Sequence, residues 1–551
     1  MAQFQRPQTH RIVDLLTFIQ LKEDLFKIRE FATQSLGFNK VQFGNQYFKL
    51  KTGTDKTQDD QNLETLHHLL KKTKGLILNR LYKTYEVLEY LCENFEKYQN
   101  IQSMTIDFNK EFIKLIVQVT KLHELQELNL IQAFFDEDIK MFEQTSAQNL
   151  EEIEDLDIGL SSTQNELGEN LELFKQFSKL KKLRISFGKT DLSIFEYLPN
   201  IEVLESNGDL LASSQLSVKY FENLKKLSII NIEKEMIFDI LQELSSCLKL
   251  KELEINYPIK DDYKPLQLFF QRNKSVEVLM IKKIKVFDRF EFMIGLAENN
   301  TLKHLFFELL RTDIKSLDKD TFFAGNQNMT LETLSIKASI KAKSKYFVHS
   351  NYMAELIGML KNLTNFEIYN FSLLGDQFSN IIDSITNTIN LQSLSMQQCT
   401  FETNDLLCQL LIALTEKQVN LKVLKLNQSQ LNVRTMEVGV IKFLSENKSI
   451  QRLDLQFCEI DFTAGLSLIL EACGKHPVLQ YLDITHSKLW YLRNDIKLKQ
   501  MVECVIKNCQ NLQYLFMQDS NTVRQIGIED MLKEQVKIIY DNCPKMMELK
   551  I

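Results

Sequence analysis

The chain has 551 residues, 44% of them hydrophobic and 25% charged, with a formal net charge of −7. That length, in an ordinary soluble composition, requires several domains or one elongated array. Sixteen glycines and six prolines exclude a collagenous or linker-dominated chain, and the weak acidity argues against nucleic acid or an anionic membrane surface as partner.

Residues 11–36, "RIVDLLTFIQLKEDLFKIREFATQSL", carry helical periodicity. "KVQFGNQYFKLK" (40–51) reads as a small hairpin turning at Gly44–Asn45. A polar loop (52–62) follows, then one or two helices over 63–98 with a break at Gly75. Residues 1–98 are thus expected to be a mainly helical N-terminal cap. The alternative is an adaptor module of the F-box kind, against which stands the lack of a Leu-Pro opening. His67 and His68 are adjacent, so a helix points them to different sides and they share no metal. Near the N-terminus the apolar stretch is broken by Asp14 and no small-residue cleavage site follows, so no secretory signal is expected. Arg6 and Arg11 precede the first acid and leave a mitochondrial presequence open. No apolar run reaches the ~18 residues of a membrane span.

From residue 99 onward one frame repeats: apolar-x-x-apolar-x-apolar. Clear copies begin at Leu125, Leu180, Leu224, Leu250, Val276, Leu302, Leu331, Leu363, Leu391, Leu421, Ile450, Leu479 and Leu512. Weaker ones begin at Ile101, Ile153, Ile201 and Met546, making about 17 in all, irregular around 131–215, where "DIGLSSTQNELGEN" (157–170) reads as a polar loop. The alternation inside each frame suits a short strand with one buried face. Stretches such as 404–418, 465–476 and 499–510 have apolar residues at three- and four-residue steps, as in helices. One strand and one helix of this size cannot bury their own apolar faces, but stacked copies can.

"IQRLDLQFCEI" (450–460) and "LQSLSMQQCTF" (391–401) extend the frame with a cysteine, Cys458 or Cys399, three positions past its end. "LKVLKLNQSQL" and "LQYLDITHSKL" place Ser429 and Ser487 there. This resembles the leucine-rich-repeat pattern, L-x-x-L-x-L-x-x-N/C-x-L, in its long, ribonuclease-inhibitor-like form. The resemblance implies an α/β solenoid, a horseshoe with a concave parallel sheet and convex helices, over 99–551. It also implies that the cysteine slot turns inward and bonds to loop backbone, a packing role for Cys458 and not a nucleophilic one. Cys247, Cys473, Cys509 and Cys543 fall just before a following frame, where a convex helix ends. Nine cysteines, an odd number with no C-x-x-C pair, give neither a disulfide framework nor a zinc site. The sequons Asn328–Met329–Thr330 and Asn362–Leu363–Thr364 are expected to be unmodified.

No phosphate-binding glycine loop, G-x-S-x-G or H-E-x-x-H occurs, so no catalytic residue, cofactor or metal is assigned and a non-catalytic role is expected. The lysine-rich run 336–345 reads as a solvated loop. In the resemblance, the third, fifth and seventh frame positions face outward on the concave sheet. Two groups there are apolar or aromatic: Val278, Met280, His304 and Phe306; and Tyr481, Tyr514 and Phe516 beside Asp483. Such clusters are the usual anchors of protein partners, unless a segment of the same chain covers them. The last frame, with Met546, Leu549 and Ile551, presents a strand edge that either the preceding helix (529–541) shields or another subunit completes by strand addition.

The expectation is a protein–protein interaction scaffold, an intracellular and cytoplasmic subunit of a larger cytoskeletal, axonemal or organellar complex, without nucleic acid and with its oligomeric state open. A ubiquitin-ligase substrate adaptor and a small-GTPase regulator are the alternatives. For the latter Arg184, inside a strand frame, is a poor candidate.

Overall fold

The computed structural model describes three short strands within the first 96 residues and most of residues 97–550; the stretches 108–123, 134–149, 161–173, 212–220, 310–326, 486–494 and 518–535 are the longest parts of the latter range outside the description. The chain forms two compact units, Met1–Ile255 and Asn256–Ile551.

In the first unit the strands are β1 (Ile12–Asp14), β2 (Lys40–Phe43), β3 (Gly75–Leu78), β4 (Ser103–Asp107), β5 (Glu127–Ala133), β6 (Asp155–Leu160), β7 (Lys182–Ser186), β8 (Lys189–Asp191), β9 (Val203–Leu211), β10 (Lys226–Ile232) and β11 (Glu252–Asn256). Each pairs in parallel with the next, β7 passing directly to β9, while β8 runs beside the far end of β9. Of the hairpin expected at 40–51, only Lys40–Phe43 lies within the described residues, and it is β2. β2 is flanked by β1 and β3, both parallel to it, and a parallel neighbour cannot be reached through a two-residue turn. Gly75, expected to break a helix, opens β3, whose register onto β4 runs from Gly75↔Ser103 to Leu78↔Ile106. The ladder therefore reaches back into a region whose sequence lacks the frame. The rest of the expected cap lies outside the described residues. Through the irregular section the ladder continues: Asp157–Leu160, assigned above to a loop, belongs to β6, and register shifts fall between Leu130 and Ala133 and between Ile229 and Asn231.

In the second unit the ladder comprises β12 (Val278–Ile284), β13 (His304–Leu309), β14 (Thr333–Ala338), β16 (Asn365–Tyr369), β18 (Ser393–Gln397), β20 (Val423–Lys425), β21 (Arg452–Asp454), β22 (Tyr481–Asp483), β23 (Tyr514–Phe516) and β24 (Glu548–Lys550), each parallel to the next. A second parallel sheet holds β15 (Tyr346–Phe347), β17 (Phe371–Leu373) and β19 (Thr400–Phe401).

The frame explains this ladder. Its first, fourth and sixth residues all face the core: Leu421, Leu424, Leu426, then Ile450, Leu453, Leu455, then Leu479, Leu482, Ile484 are buried in successive repeats. Leu424, Leu453, Leu482, Leu515 and Leu549 stand in register as one row. Each such side chain contributes roughly 1.5–3 kcal/mol on burial. The helices behind bury one stripe each. In Asn404–Glu416 the buried Leu407, Leu410, Leu411 and Leu414 recur at three- and four-residue steps. Helix stacks on helix, Ser350–Met359 against Gly375–Thr386 and Ser467–Lys475 against Asp495–Asn508. The last contact is so close that a Cβ at Gly474 would stand 2.0 Å from the Asn508 carbonyl oxygen. Among the described residues no helix is long and apolar enough to cross a membrane.

Candidate protein-binding face

With the first, fourth and sixth frame positions consumed by the core, the third, fifth and seventh stand on the opposite, outward face of each strand. The second unit brings together both groups expected there. Val278 pairs in register with His304, and Met280 with Phe306, so the four side chains adjoin, each half-buried. His304 Nδ1 shares a proton with Thr333 Oγ1 at 3.0 Å. The next strands turn polar: Ser335 Oγ donates to Glu367 Oε2 (2.8 Å), and Gln397 Nε2 reaches both Glu367 Oε1 (3.1 Å) and Ser395 Oγ (2.9 Å).

The second group is denser. Tyr481 pairs with Tyr514, and Asp483 with Phe516. The Tyr481 ring lies 5.9 Å from that of Tyr514 and 5.3 Å from that of Phe516, the latter edge-on at 60°. Two residues not foreseen from the sequence complete it. The Arg452 guanidinium stacks over Tyr481 with its carbon 3.9 Å from the ring centre. Its Nε and Nη2 donate to Asp454 Oδ2 at 3.1 and 2.9 Å. Asp454 is only 2% exposed, and its Oδ1 is sealed from solvent without a hydrogen-bond partner. Burial pushes its pKa up, Arg452 opposes that, and nearby Asp483 adds to it. Burial, reinforced by the charge of Asp454, pushes the Tyr481 phenol up to about 12. Asp483 is saturated: Oδ1 accepts from the Thr485 N–H (3.0 Å) and hydroxyl (2.7 Å), and Oδ2 from Gln456 Nε2 (2.5 Å) and the Tyr481 hydroxyl (3.3 Å). The signal for Arg452 and Asp454 was present in "IQRLDL", since residues two apart on a strand share a face.

At four repeats the chain turns through one residue in the left-handed region near the end of or just past the strand: Lys283, Asn370, Gln398 and Phe457, with φ of 55–63°. That turn points the next side chain inward. Cys458 and Cys399 occupy the slot fully buried, and their thiols reach Leu426 O at 3.2 Å and Ile368 O at 3.9 Å in the preceding repeat. Burial pushes the Cys399 thiol up to about 12, and the same holds for Cys473 and for Cys247. Thiols so placed stay protonated and are poor nucleophiles. A parallel ladder of frame-spaced strands with this inward slot decides the fold.

The repeats have a leucine-rich-repeat fold.

No protein-family model matches the chain, and no curated protein does. Among solved structures it is similar to the TLR13 chain of a TLR13–ssRNA13 complex, at 14% identity and a TM-score of 0.42, over 87% of this chain and 65% of that one. The chain thus spans less than two thirds of that TLR13 chain. It is also similar to a chain of the mouse RP105/MD-1 complex, at 16% identity and a TM-score of 0.39, over 76% and 68% of the two chains.

The leucine-rich-repeat ladder also assigns residues whose roles the sequence did not disclose. Asn273, Asn299, Asn328 and Asn447 each stand three residues before a frame, buried, with Oδ1 accepting the backbone N–H groups two and three residues on. Their Nδ2 groups donate to carbonyls, as Asn299 to Phe270 O (2.7 Å) and Asn328 to Asn299 O (2.8 Å). The hydroxyl two residues on bonds to the preceding repeat, Ser449 to Leu421 O at 2.9 Å and Thr301 to Asn273 O at 3.2 Å. The Asn-x-Ser/Thr signature at Asn328 is therefore a packing motif. His476 fills the same slot, with Nδ1 accepting the Val478 and Leu479 N–H groups at 3.3 and 3.1 Å. Its buried Nε2 faces the Asn447 carbonyl without an aligned hydrogen bond.

In the first unit the outward face is charged and internally paired. Arg184 is held by Asp155 (2.8 Å) and Glu205 (3.1 Å), and Lys226 by Glu205 (2.7 Å), so Arg184 is engaged on two sides. At the other end of the chain Met546 and Leu549 are core residues, and the Leu549 N–H donates to the Tyr540 hydroxyl at 3.0 Å from helical residues 536–542. Of the two ways expected to cover this edge, shielding by the preceding helix or addition of a subunit, this one donor is met from the helix. Ile551, Ser429, Ser487, His67 and His68 lie outside the described residues, as does 340–345 of the lysine-rich run. Ile336–Ala338, from the start of that run, belong to β14, where Lys337 approaches Glu367 at 3.7 Å. Among the described residues no three His, Cys, Asp or Glu side chains gather as metal ligands.

Proposed function

We infer that this leucine-rich-repeat protein is a non-catalytic scaffold, a subunit of a larger assembly that docks protein partners on the outward strand face of residues 256–551. The observation that carries the reading is the Arg452–Tyr481–Tyr514–Phe516 cluster. It is stacked and hydrogen-bonded into one arrangement, with its tyrosines half-buried, on strands whose inward side chains are fixed in the core. Rigid aromatic and arginine side chains lose little entropy on binding and are the residues in which interface energy concentrates. The Met280–Phe306 pair supplies a second anchor on the same face.

The test is native capture of the tagged full-length chain from its source cells with quantitative mass spectrometry. It is run beside a Tyr481→Asp/Tyr514→Asp variant and a Met280→Asp/Phe306→Asp variant, each checked for folding by circular dichroism. Loss of a fixed-stoichiometry set of proteins from a folded variant is the expected outcome. An unchanged set with both variants would remove this face from the function.

A further inference from the structure

Around Tyr481 the acids lie beneath the surface and the bases lie on it. Asp483 is 4% exposed and takes four donors from its own chain. Asp454 is capped by Arg452 on one oxygen and shut from solvent on the other. Neither presents a carboxylate outward. The Arg452 side chain is 39% exposed, with one edge on Asp454 and one face on the Tyr481 ring. Lys425 stands beside Asp454 in the fifth-position row, half-buried, with no hydrogen-bond or ion-pair partner among the described residues. Beyond Tyr514 the next residue of the row is Glu548, which is half-buried and engaged within the chain. The solvent therefore meets two cations and an aromatic floor.

We propose that this face takes an acidic segment of a protein partner, its carboxylates meeting Arg452 and Lys425 and a neighbouring apolar side chain resting on Tyr481 and Tyr514, which Phe516 backs from beneath. The inference rests on the docking reading above and names the chemistry of its occupant. An arginine whose fork is already oriented by a carboxylate and a ring loses little freedom on meeting a second carboxylate, and its planar donors suit that geometry. A lysine without an internal partner has no bond to give up. A cationic segment would meet Arg452 and Lys425 first and would find the acids already bonded, so like charge rejects it.

The experiment uses the full chain and fluorescence anisotropy with two labelled synthetic peptides of equal leucine and phenylalanine content, one carrying glutamates and one lysines at the other positions. The glutamate peptide is expected to bind at least about tenfold more tightly, a margin of about 1.4 kcal/mol. Raising the salt should narrow the margin. Lys425→Glu is the informative variant, since Lys425 makes no hydrogen bond or ion pair among the described residues and acts within the chain only through its charge on Asp454, and it should erase most of the preference. Tyr514→Ala should weaken both peptides. A lysine peptide that binds as tightly or more tightly, or a preference untouched by Lys425→Glu, overturns the acidic partner. The docking face then still stands if Tyr514→Ala weakens binding. Failure of both peptides to bind also overturns this inference, and the capture experiment decides the docking reading separately.

Discussion

The outward strand faces of the two units are built on the same backbone and do opposite things. Over residues 155–254 the fifth and third frame positions hold acids and bases that neutralise one another. Arg184 bridges Asp155 and Glu205, Lys226 bridges Glu205 and Glu252, and Ser228 donates to Glu254. Burial pushes Glu205 up, yet Lys226 and Arg184 together hold it below its ordinary value. Over residues 452–516 the same positions hold aromatics, with the acids sunk beneath an arginine. A solenoid strand thus specifies where its outward residues stand and leaves their chemistry free. On the docking reading proposed above, a face whose charges are satisfied within the chain has less to offer a partner than one that displays stacked rings and cations.

Partner binding gives the largest expected contrast. Tyr481→Ala or Tyr514→Ala should cost at least about 2 kcal/mol of partner affinity, roughly thirtyfold. Lys226→Ala, in the charged face, should change it by less than about 0.5 kcal/mol; titration calorimetry with a captured partner makes the comparison. Equal losses at the two places would break the distinction drawn here.

Stability follows. Arg452→Ala leaves the buried Asp454 carboxyl without its counter-ion and should cost about 1–3 kcal/mol in urea unfolding, reduced from the fully buried case because Arg452 is partly exposed. Arg184→Ala disturbs solvent-screened pairs and should cost under about 1 kcal/mol. The double variant Arg452→Met/Asp454→Leu, which removes the charge with its partner, should recover most of the loss.

The pH response comes next. Burial, with the charge of Lys448 adding to it and the Asn447 carbonyl opposing, lowers the pKa of His476. Its folded value is below its unfolded one, so its contribution is full above the ordinary imidazole value and is lost as pH falls through the folded value. Protonation would set Nδ1–H against two backbone N–H groups at the turn into β22. Asp454, raised, works in the opposite sense: its contribution is full below the ordinary carboxylate value and is lost as pH rises through its folded value. His476→Asn should therefore remove part of the stability loss on acidification between neutral pH and about pH 5, and an unaltered profile would show that the slot is insensitive to charge. The smallest effect is salt. Moderate salt should weaken the exposed Lys181–Glu154 and Lys225–Glu202 pairs by only tenths of a kcal/mol each and leave the Arg452–Asp454 pair nearly unchanged.

Much of this was legible in the residues. Leu453 and Leu482 declare their burial through the frame, and the frame's period of two places Tyr481 with Asp483 and Met280 with Val278 on one face. The strands at Ile12–Asp14, Lys40–Phe43 and Gly75–Leu78 were not legible. None follows the frame, and what selects them is a parallel neighbour some thirty residues away, which local propensity does not encode. Lys40–Phe43, read as one arm of a hairpin, instead has a parallel neighbour on each side. The asparagine slot carried a visible signature, Asn-x-Ser/Thr before the frames at Val276, Leu302, Leu331 and Ile450, but one sequence cannot distinguish a packing motif from a modification motif. The burial of Asn328 makes that distinction.

The sequence by itself determined the repeat, the identity of the core row and the list of side chains available to the outward face, because these depend only on spacing along one chain and on the apolar or polar character of each residue. Only the tertiary structure decided which of those side chains are spent. Whether Arg184 is engaged between two acids, whether Asp454 is sealed under Arg452, and whether the Leu549 N–H is already met by Tyr540 depend on the register between repeats and on atoms 2.8–3.1 Å apart that lie 2–29 residues away in sequence. Burial and pairing, which set charge and exposure, arise only when the repeats are stacked.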